Sequence, residues 1–173
     1  LIKKQMKTSD LMRALEVTAA NGLHMSIFLV IGFPHDTSED LRETVRLVRR
    51  AALRGVEDVA LQFFFPIPGT ELFAKLEADG RLGPDDDTLT RPAFGHSKGL
   101  TDERNYCTTL SANELTRWKY WIIANFYLTS WLSHPARLVR IVVNTLRGRQ
   151  TSVMEKFLSY QLSRLTRRRR RAP

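Results

Sequence analysis

Residues 27–37 read Ile-Phe-Leu-Val-Ile-Gly-Phe-Pro-His-Asp-Thr, and residues 59–70 read Val-Ala-Leu-Gln-Phe-Phe-Phe-Pro-Ile-Pro-Gly-Thr. Each stretch is an apolar run that ends in glycine and proline, which is typical of a buried strand followed by a loop. The loops begin 34 positions apart, at Gly32 and Pro66, a fitting length for a strand, a crossover helix and the next parallel strand. Parallel strands end at the same edge of a sheet, so both loops are predicted where such sheets bind ligands.

Helical periodicity surrounds the two predicted strands. The order of elements predicts an α/β fold with parallel strands and right-handed crossovers. Two strands do not make a stable sheet alone, so we expect the carboxyl-terminal part of a partial, TIM-like (β/α) barrel whose earlier strands precede Leu1. The predicted elements are a helix capped by Thr8 or Ser9 and stopped at Asn21-Gly22, a strand over 23–31, a helix from Thr37 or Ser38 to Gly55, a strand over 59–65 and a helix over 70–78.

The first strand is continuously apolar from Ile27 on, as expected of a strand covered on both faces. Beyond it the chain divides into four predicted segments: the barrel part over 1–82, a long loop over 83–110, a helical extension over 111–166 and a basic tail over 167–173. A loop of this length is often functional, for example as a lid. Within the extension, a capping box at Ser111–Glu114 opens one helix, Pro135 to Leu146 forms the next, and an amphipathic pattern over 154–165 predicts a last one.

The composition fits one globular domain, with 43% hydrophobic and 26% charged residues among 173. No apolar run approaches the roughly 20 residues of a membrane-spanning helix. The single cysteine, Cys107, excludes an internal disulfide and a cysteine-rich metal site within this segment. We therefore expect a cytoplasmic location. The start at Leu1 without a signal-peptide pattern predicts a piece of a longer protein.

Positive charge is concentrated at the carboxyl end. Residues 134–173 hold eleven Lys or Arg against Glu155 alone, a net +10; the whole chain carries +9, so residues 1–133 sum to −1. A disordered, solubilising end that binds nothing is the first interpretation of this charge. Basic helices with an apolar face can also lie on an anionic membrane surface, so peripheral contact with the inner face of a membrane is the second interpretation. Nucleic acid is the rival partner and is not the expected one.

The strand-end loops carry the candidate chemistry. Gly32 lets the backbone approach a ligand closely, and Pro34 fixes the turn that follows. Asp36 and Thr37 add polar groups at a helix N-terminus, which favours anionic groups such as a carboxylate. The alternative interpretation is local: Gly-Phe-Pro merely turns the chain, and Thr37 merely caps the helix.

The paired motifs resemble the radical S-adenosylmethionine superfamily. In that family one strand ends in Gly-Phe/Leu-Pro-Gly-Glu-Thr, a helix rich in Glu and Thr follows, and the next strand ends in Pro-x-Pro-Gly-Thr-x-Leu. Residues 27–51 and 61–82 stand at the matching places, and the similarity covers residues 1–82. More loosely, residues 125–128 and 135–138 resemble downstream helices of radical enzymes that carry a cobalamin-binding domain.

The resemblance implies a 4Fe-4S cluster and S-adenosylmethionine as cofactors, and it leaves cobalamin open. In the family, the cluster takes an electron from a donor and reduces the sulfonium, and the resulting 5′-deoxyadenosyl radical abstracts hydrogen from a small-molecule substrate. The tryptophans of the helical extension suggest a hydrophobic substrate. No catalytic residue is assigned. The implied cofactor-binding residues are Gly32, Phe33, Pro34, Asp36 and Thr37 toward ribose or methionine, and Pro66, Ile67, Pro68 and Gly69 toward adenine.

Two departures from the family pattern matter. His35-Asp36 stands where the family has Gly-Glu, which shortens the carboxylate and replaces a permissive glycine. The family's cluster motif, Cys-x-x-x-Cys-x-x-Cys, is absent, and Cys107 cannot replace it. This chain alone therefore cannot perform the family reaction.

Two other function classes stay open. One is a non-catalytic remnant whose basic helices bind a membrane or nucleic acid. The other is an unrelated barrel enzyme that binds phosphate at the same strand ends, although neither motif has the glycine run or the lysine of a phosphate loop. The remaining polar candidates are expected to be structural or solvated, and none has metal-ligand spacing: His24, His96, His134, Asp85–Asp87 and the Cys107 thiol.

Overall fold

The computed structural model describes residues 7–82, 100–147 and 160. They form a mixed α/β structure that is mostly helical. The elements are α1 (Thr8–Ala20), β1 (Ser26–Ile31), α2 (Ser38–Leu53), β2 (Asp58–Phe63), α3 (Glu71–Ala78), a 3-10 turn (Asp102–Arg104), α4 (Ala112–Ser133) and α5 (Pro135–Leu146).

The two strands pair in parallel, as predicted. Their register runs from Ser26 opposite Asp58 to Ile31 opposite Phe63. The ladder continues one step at its far end, where the Phe64 N–H donates to the Ile31 carbonyl over 2.7 Å. This pairing confirms the α/β class and puts the loops after β1 and β2 at one edge. In the described part of the chain the sheet has these two strands, and the partial barrel stays a prediction.

Only one face of the sheet is covered by the described residues. Ile31, Leu61 and Phe63 are buried in a core shared with helices α2 and α4. On the other face, Phe28 is 79% exposed and Val30 is 47% exposed. The expectation of cover on both faces is therefore wrong for this part of the chain, because both packing helices lie on the same side.

Helix α2 packs mainly against α4. Its buried stripe recurs at the spacing of one helix face and includes Leu41, Val45 and Val48. A polar link joins the two helices: the Arg49 Nε donates to the Asn125 Oδ1 over 2.9 Å, and the Asn125 amide donates to the Trp121 carbonyl. The buried amide of Asn125 is thereby satisfied, as a buried polar group must be.

Helix α4 runs antiparallel to the strands. Near its start, Leu115 lies against Gly32 at the carboxyl end of β1. Further along, the Tyr127 hydroxyl donates to the Asp58 carboxylate over 3.3 Å at the amino end of β2. Burial, followed by the neighbouring Asp58 charge, raises the pKa of the Tyr127 phenol well above its usual range. Tyr127 therefore remains a neutral donor.

Several predicted boundaries need correction. Lys7 rather than Thr8 or Ser9 precedes α1, without a side-chain cap. Strand β1 starts at Ser26 instead of residue 23, and β2 ends at Phe63 instead of Phe65. The Phe64 N–H makes the last bond to β1, and Pro66, two residues on, has no N–H to continue the ladder. Both capping boxes, at Thr37–Asp40 and Ser111–Glu114, are confirmed, and so are the bounds of α5. The predicted last helix lies outside the described residues, apart from the helical Tyr160.

We predict that Tyr127→Phe lowers the free energy of unfolding by about 1–3 kcal/mol, since it removes a buried donor from a buried carboxylate. Tyr120→Phe is the matched control, because the Tyr120 side chain is 64% exposed on the same helix. Urea unfolding followed by circular dichroism measures both. Equal effects of the two substitutions would contradict the role given to the Tyr127 hydroxyl.

Candidate functional site

The turn after β1 is closed by its own carboxylate. The Asp36 Oδ2 accepts the backbone N–H of Gly32 over 2.8 Å and that of Phe33 over 3.1 Å. Gly32 has φ +84°, which favours glycine. The Asp36 N–H donates back to the Phe33 carbonyl over 3.0 Å, which completes a tight turn around the buried Pro34. The Asp36 carboxylate, a candidate ligand-binding group in the sequence, therefore binds the backbone of its own loop.

Opposing effects act on the Asp36 carboxyl. Burial is the larger effect and raises the pKa of this carboxyl above its ordinary value. The N–H groups of Phe33 and Gly32 favour the charged form and lower the pKa, but by less. The Asp40 charge adds to the rise. A raised folded-state pKa means that the folded protein binds the proton more tightly than the unfolded chain does. The Asp36 carboxyl therefore stabilises the fold fully at pH values below its pKa in the unfolded chain. This stabilisation is lost as the pH rises through its pKa in the folded protein.

Thr37 caps helix α2. Its hydroxyl accepts the Asp40 N–H and donates to the Asp40 Oδ2, which also accepts the Thr37 N–H over 2.8 Å. For Thr37 these bonds favour the local interpretation, in which the side chain serves the helix start. The resemblance implies that Asp36 and Thr37 lie toward ribose or methionine. In the structure, both side chains make hydrogen bonds within the protein.

The space left by the missing side chain of Gly32 is filled by protein. A Cβ at this position would meet the Leu115 Cδ1 at 3.2 Å. Gly69, after β2, has nearly the same backbone conformation, φ +82°, and a Cβ there would meet no atom within 4 Å. Gly32 therefore serves the packing of α4, whereas the backbone at Gly69 stands open.

The loop after β2 is anchored at its ends and exposed between them. Pro66 is fully buried directly after the aromatic run. The Thr70 hydroxyl caps α3 by accepting the Phe73 N–H, and it donates to the Ile67 carbonyl over 2.7 Å. Between these anchors Ile67 is 65% exposed, and Pro68 and Gly69 are exposed too. This loop presents apolar surface and free backbone at the strand edge.

Residues 105–110, which the sequence placed in the long loop, bind the turn after β1. The Thr108 N–H and hydroxyl both donate to the Pro34 carbonyl, over 3.0 and 2.7 Å. The Cys107 thiol and the Thr109 hydroxyl both contact the Asp36 carbonyl. Cys107 is buried. This contact could not be predicted from the sequence, because no periodicity or motif marks residues that bond a turn some 70 positions earlier.

Aromatic rings join the two loops. Phe33 and Phe64 have ring centroids 4.7 Å apart, and Tyr106 meets Phe64 and Phe65 edge-on at 6.1 and 6.4 Å. Edge-to-face geometry of this kind stabilises beyond the burial of area. Burial raises the pKa of the Tyr106 phenol. Within the aromatic run, Phe63 is buried in the core, and Phe64 and Phe65 are half-buried.

The first turns of α4 carry a shallow groove of about 340 Å³, lined by Glu114, Arg117, Trp118 and Trp121. From the same turns the Lys119 ammonium lies over the Phe63 ring, 4.8 Å from its centroid. Burial lowers the pKa of Lys119. The groove therefore lies on the same turns of α4 as Leu115 and Lys119, which reach the carboxyl ends of the two strands. Its tryptophans suit an apolar molecule.

Metal ligation finds no support in the described residues, where no three His, Cys, Asp or Glu side chains come together. The His24 Nδ1 lies 3.0 Å from the Glu57 carboxylate, which also binds Arg140. His96 and Asp85–Asp87 lie outside the described residues. Among the helices that the structure describes, none is long and apolar enough to cross a membrane.

No protein-family model matches this sequence, and a comparison with curated proteins gives no match. The residues of the chain therefore decide whether the cofactors implied by the resemblance suit it. A 4Fe-4S cluster does not fit this chain, since it requires several cysteine thiolates and the chain has one. An adenine fits the loop after β2, because the open backbone at Gly69 adjoins the exposed Ile67 and Pro68.

We predict that Gly32→Ala lowers the free energy of unfolding more than Gly69→Ala does. Both substitutions place a side chain at positive φ, which costs about 1 kcal/mol. At Gly32 the added methyl group also displaces Leu115, which costs about 1–3 kcal/mol more. Chemical unfolding of both variants measures the difference, and equal losses would show that Leu115 does not pack on Gly32.

For Asp36 we predict that Asp36→Ala costs about 1–3 kcal/mol at neutral pH, because two N–H groups lose their acceptor. Asp36→Asn keeps an acceptor and stays close to the parent chain. As the pH falls from neutral to about 4, the ordinary pKa of an aspartate, the parent gains stability relative to Asp36→Asn because its folded-state carboxyl takes up the proton first, and the gain levels off below that pH. Unfolding curves across this range test the sign, and a relative loss on acidification would contradict the raised pKa.

Proposed function

We propose that this chain is part of a radical S-adenosylmethionine enzyme, with residues 1–82 belonging to the partial barrel, and that the edge formed by residues 32–37 and 66–69 contributes to the site for S-adenosylmethionine. The parallel pairing of β1 with β2 carries the proposal, because it brings the two motifs of the resemblance to one sheet edge. Ligands of open and barrelled α/β sheets bind at this edge. When bound and reduced by one electron from a cluster held elsewhere in the enzyme, S-adenosylmethionine would supply the 5′-deoxyadenosyl radical that abstracts hydrogen from substrate.

The open face of the sheet also supports the proposal. Parallel sheets are covered on both faces in folded proteins, yet Phe28 and Val30 are exposed opposite the side packed by α2 and α4. Further strands that close a barrel, supplied by a longer protein, would cover these side chains. The same longer protein would supply the cluster cysteines, so no step at the cluster is assigned to residues of this chain.

The two loops have different roles in this proposal. Ile67, Pro68 and Gly69 contact adenine through apolar surface and backbone, for which their exposure suits them. Asp36 acts as a positioning residue, since its carboxylate holds the Gly32 and Phe33 amides. Phe33 ties the loops together through Phe64. The site thus combines one rigid loop with one accessible loop.

The groove on α4 is the proposed place for an apolar part of the substrate. Trp118 and Trp121 form its apolar lining, and Arg117 and Glu114 lie at its border. Leu115 and Lys119, on the same turns, contact Gly32 and Phe63. One short stretch of α4 therefore carries both the groove and the side chains that reach the strand edge.

We predict that S-adenosylmethionine, titrated into the isotope-labelled chain, shifts the backbone amide signals of Ile67 and Gly69 in nuclear magnetic resonance spectra. Ile67→Ala weakens this binding on the order of five-fold, because apolar contact with adenine is lost. Leu53→Ala is the matched control, since Leu53 is 59% exposed in the last turn of α2. Shifts confined to other regions, or equal effects of both variants, would contradict the assigned site.

A further inference from the structure

Helix α5 presents its apolar side outward. Leu138, Val139 and Val142 lie on one stripe, as residues three and four apart do on a helix, and they are 44%, 64% and 50% exposed. A surface helix of a globular protein normally turns such a stripe to the core. Here Arg137 and the buried Ile141 face the protein instead.

Polar bonds fix this orientation. The Arg137 guanidinium donates to the Gly55 carbonyl over 2.7 Å, to the Val56 carbonyl over 2.9 Å and to the Ser130 hydroxyl over 3.0 Å. It thereby satisfies carbonyls in the link between α2 and β2 and ties α5 to α4. One turn on, Arg140 binds the Glu57 carboxylate. Rotating α5 to bury its apolar stripe would break all of these bonds.

Helix α4 also exposes aliphatic side chains, close to its junction with α5. Leu128 and Leu132, one turn apart, are 56% and 84% exposed just before the junction with α5. Residues 120–136 contain no Asp, Glu, Lys or Arg. We call the five aliphatic side chains the hairpin surface: Leu128, Leu132, Leu138, Val139 and Val142.

Charge indicates what covers the hairpin surface. The region from residue 134 on carries a net +10, with Arg147 and Arg149 directly beyond α5. A second copy of the chain meeting this surface symmetrically would bring two such regions together, and like charges repel. An anionic bilayer offers an apolar layer and negative headgroups at once, and a basic residue near it contributes about 1 kcal/mol to binding.

We propose that the hairpin surface inserts into the headgroup region of an anionic phospholipid bilayer, with the polar side of α5 and the rest of the fold above it. Arg147, which is exposed directly after α5, then lies level with the lipid headgroups. Contact of this kind is peripheral and is independent of the chemistry proposed at the strand edge. It assigns membrane binding to five named aliphatic side chains of α4 and α5, where the sequence indicated only basic helices with an apolar face.

Vesicle binding of the full chain tests the proposal. The chain is expected to bind vesicles of phosphatidylcholine with phosphatidylglycerol and to bind pure phosphatidylcholine more weakly. Val139→Gln weakens binding to the anionic vesicles about ten-fold, since one aliphatic side chain no longer leaves water. Val17→Gln is the matched control, because Val17 is 57% exposed on α1 and lies outside the hairpin surface. Circular dichroism establishes that both variants fold.

Two results would overturn the proposal. Equal binding of Val139→Gln and Val17→Gln would mean that the arginines alone attract the vesicles. The second comes from a Val139→Cys variant carrying an environment-sensitive fluorophore, which is expected to report water before vesicles are added and an apolar medium after. An apolar signal in the absence of vesicles would mean that another part of the chain, or a second copy, already covers the surface.

Discussion

The parallel pairing of β1 with β2 constrains the rest of the structure. Since both strands run the same way, the chain must return between them along α2, and the loops after both strands leave at one edge. Helix α4 lies on the side that α2 already occupies, with Leu115 at Gly32 and Tyr127 at Asp58. The sheet therefore has one packed face and one open face.

The strand edge is rigid on one side and open on the other for a physical reason. The turn after β1 has its amides bound to the Asp36 carboxylate and its carbonyls bound by residues 107–109. The loop after β2 has a buried proline at one end and a helix cap at the other, so its middle stays accessible. A ligand at this edge would meet the second loop first.

Local patterns predicted most of the fold. Glycine, proline and capping residues identified every α-helix and strand of the described part, since their effects act within a few residues. Patterns could not show which side of a helix faces inward. Leu138, Val139 and Val142 are exposed, and Arg137 faces the protein, where it donates to the Gly55 and Val56 carbonyls. The contact of residues 107–109 with Pro34 and Asp36 joins distant parts of the chain and was equally invisible. In the candidate site, residues 67–69 are exposed, whereas Asp36 and Thr37 have local partners.

The most direct test of the central claim is a measurement of scalar couplings across hydrogen bonds in the isotope-labelled chain by nuclear magnetic resonance. Parallel pairing predicts a coupling between the Glu57 nitrogen and the Met25 carbonyl carbon at one end of the ladder, and one between the Phe64 nitrogen and the Ile31 carbonyl carbon at the other. These couplings would establish that both loops leave the same edge. Couplings whose partners run in opposite directions along the two strands would contradict it, and the shared edge would be lost.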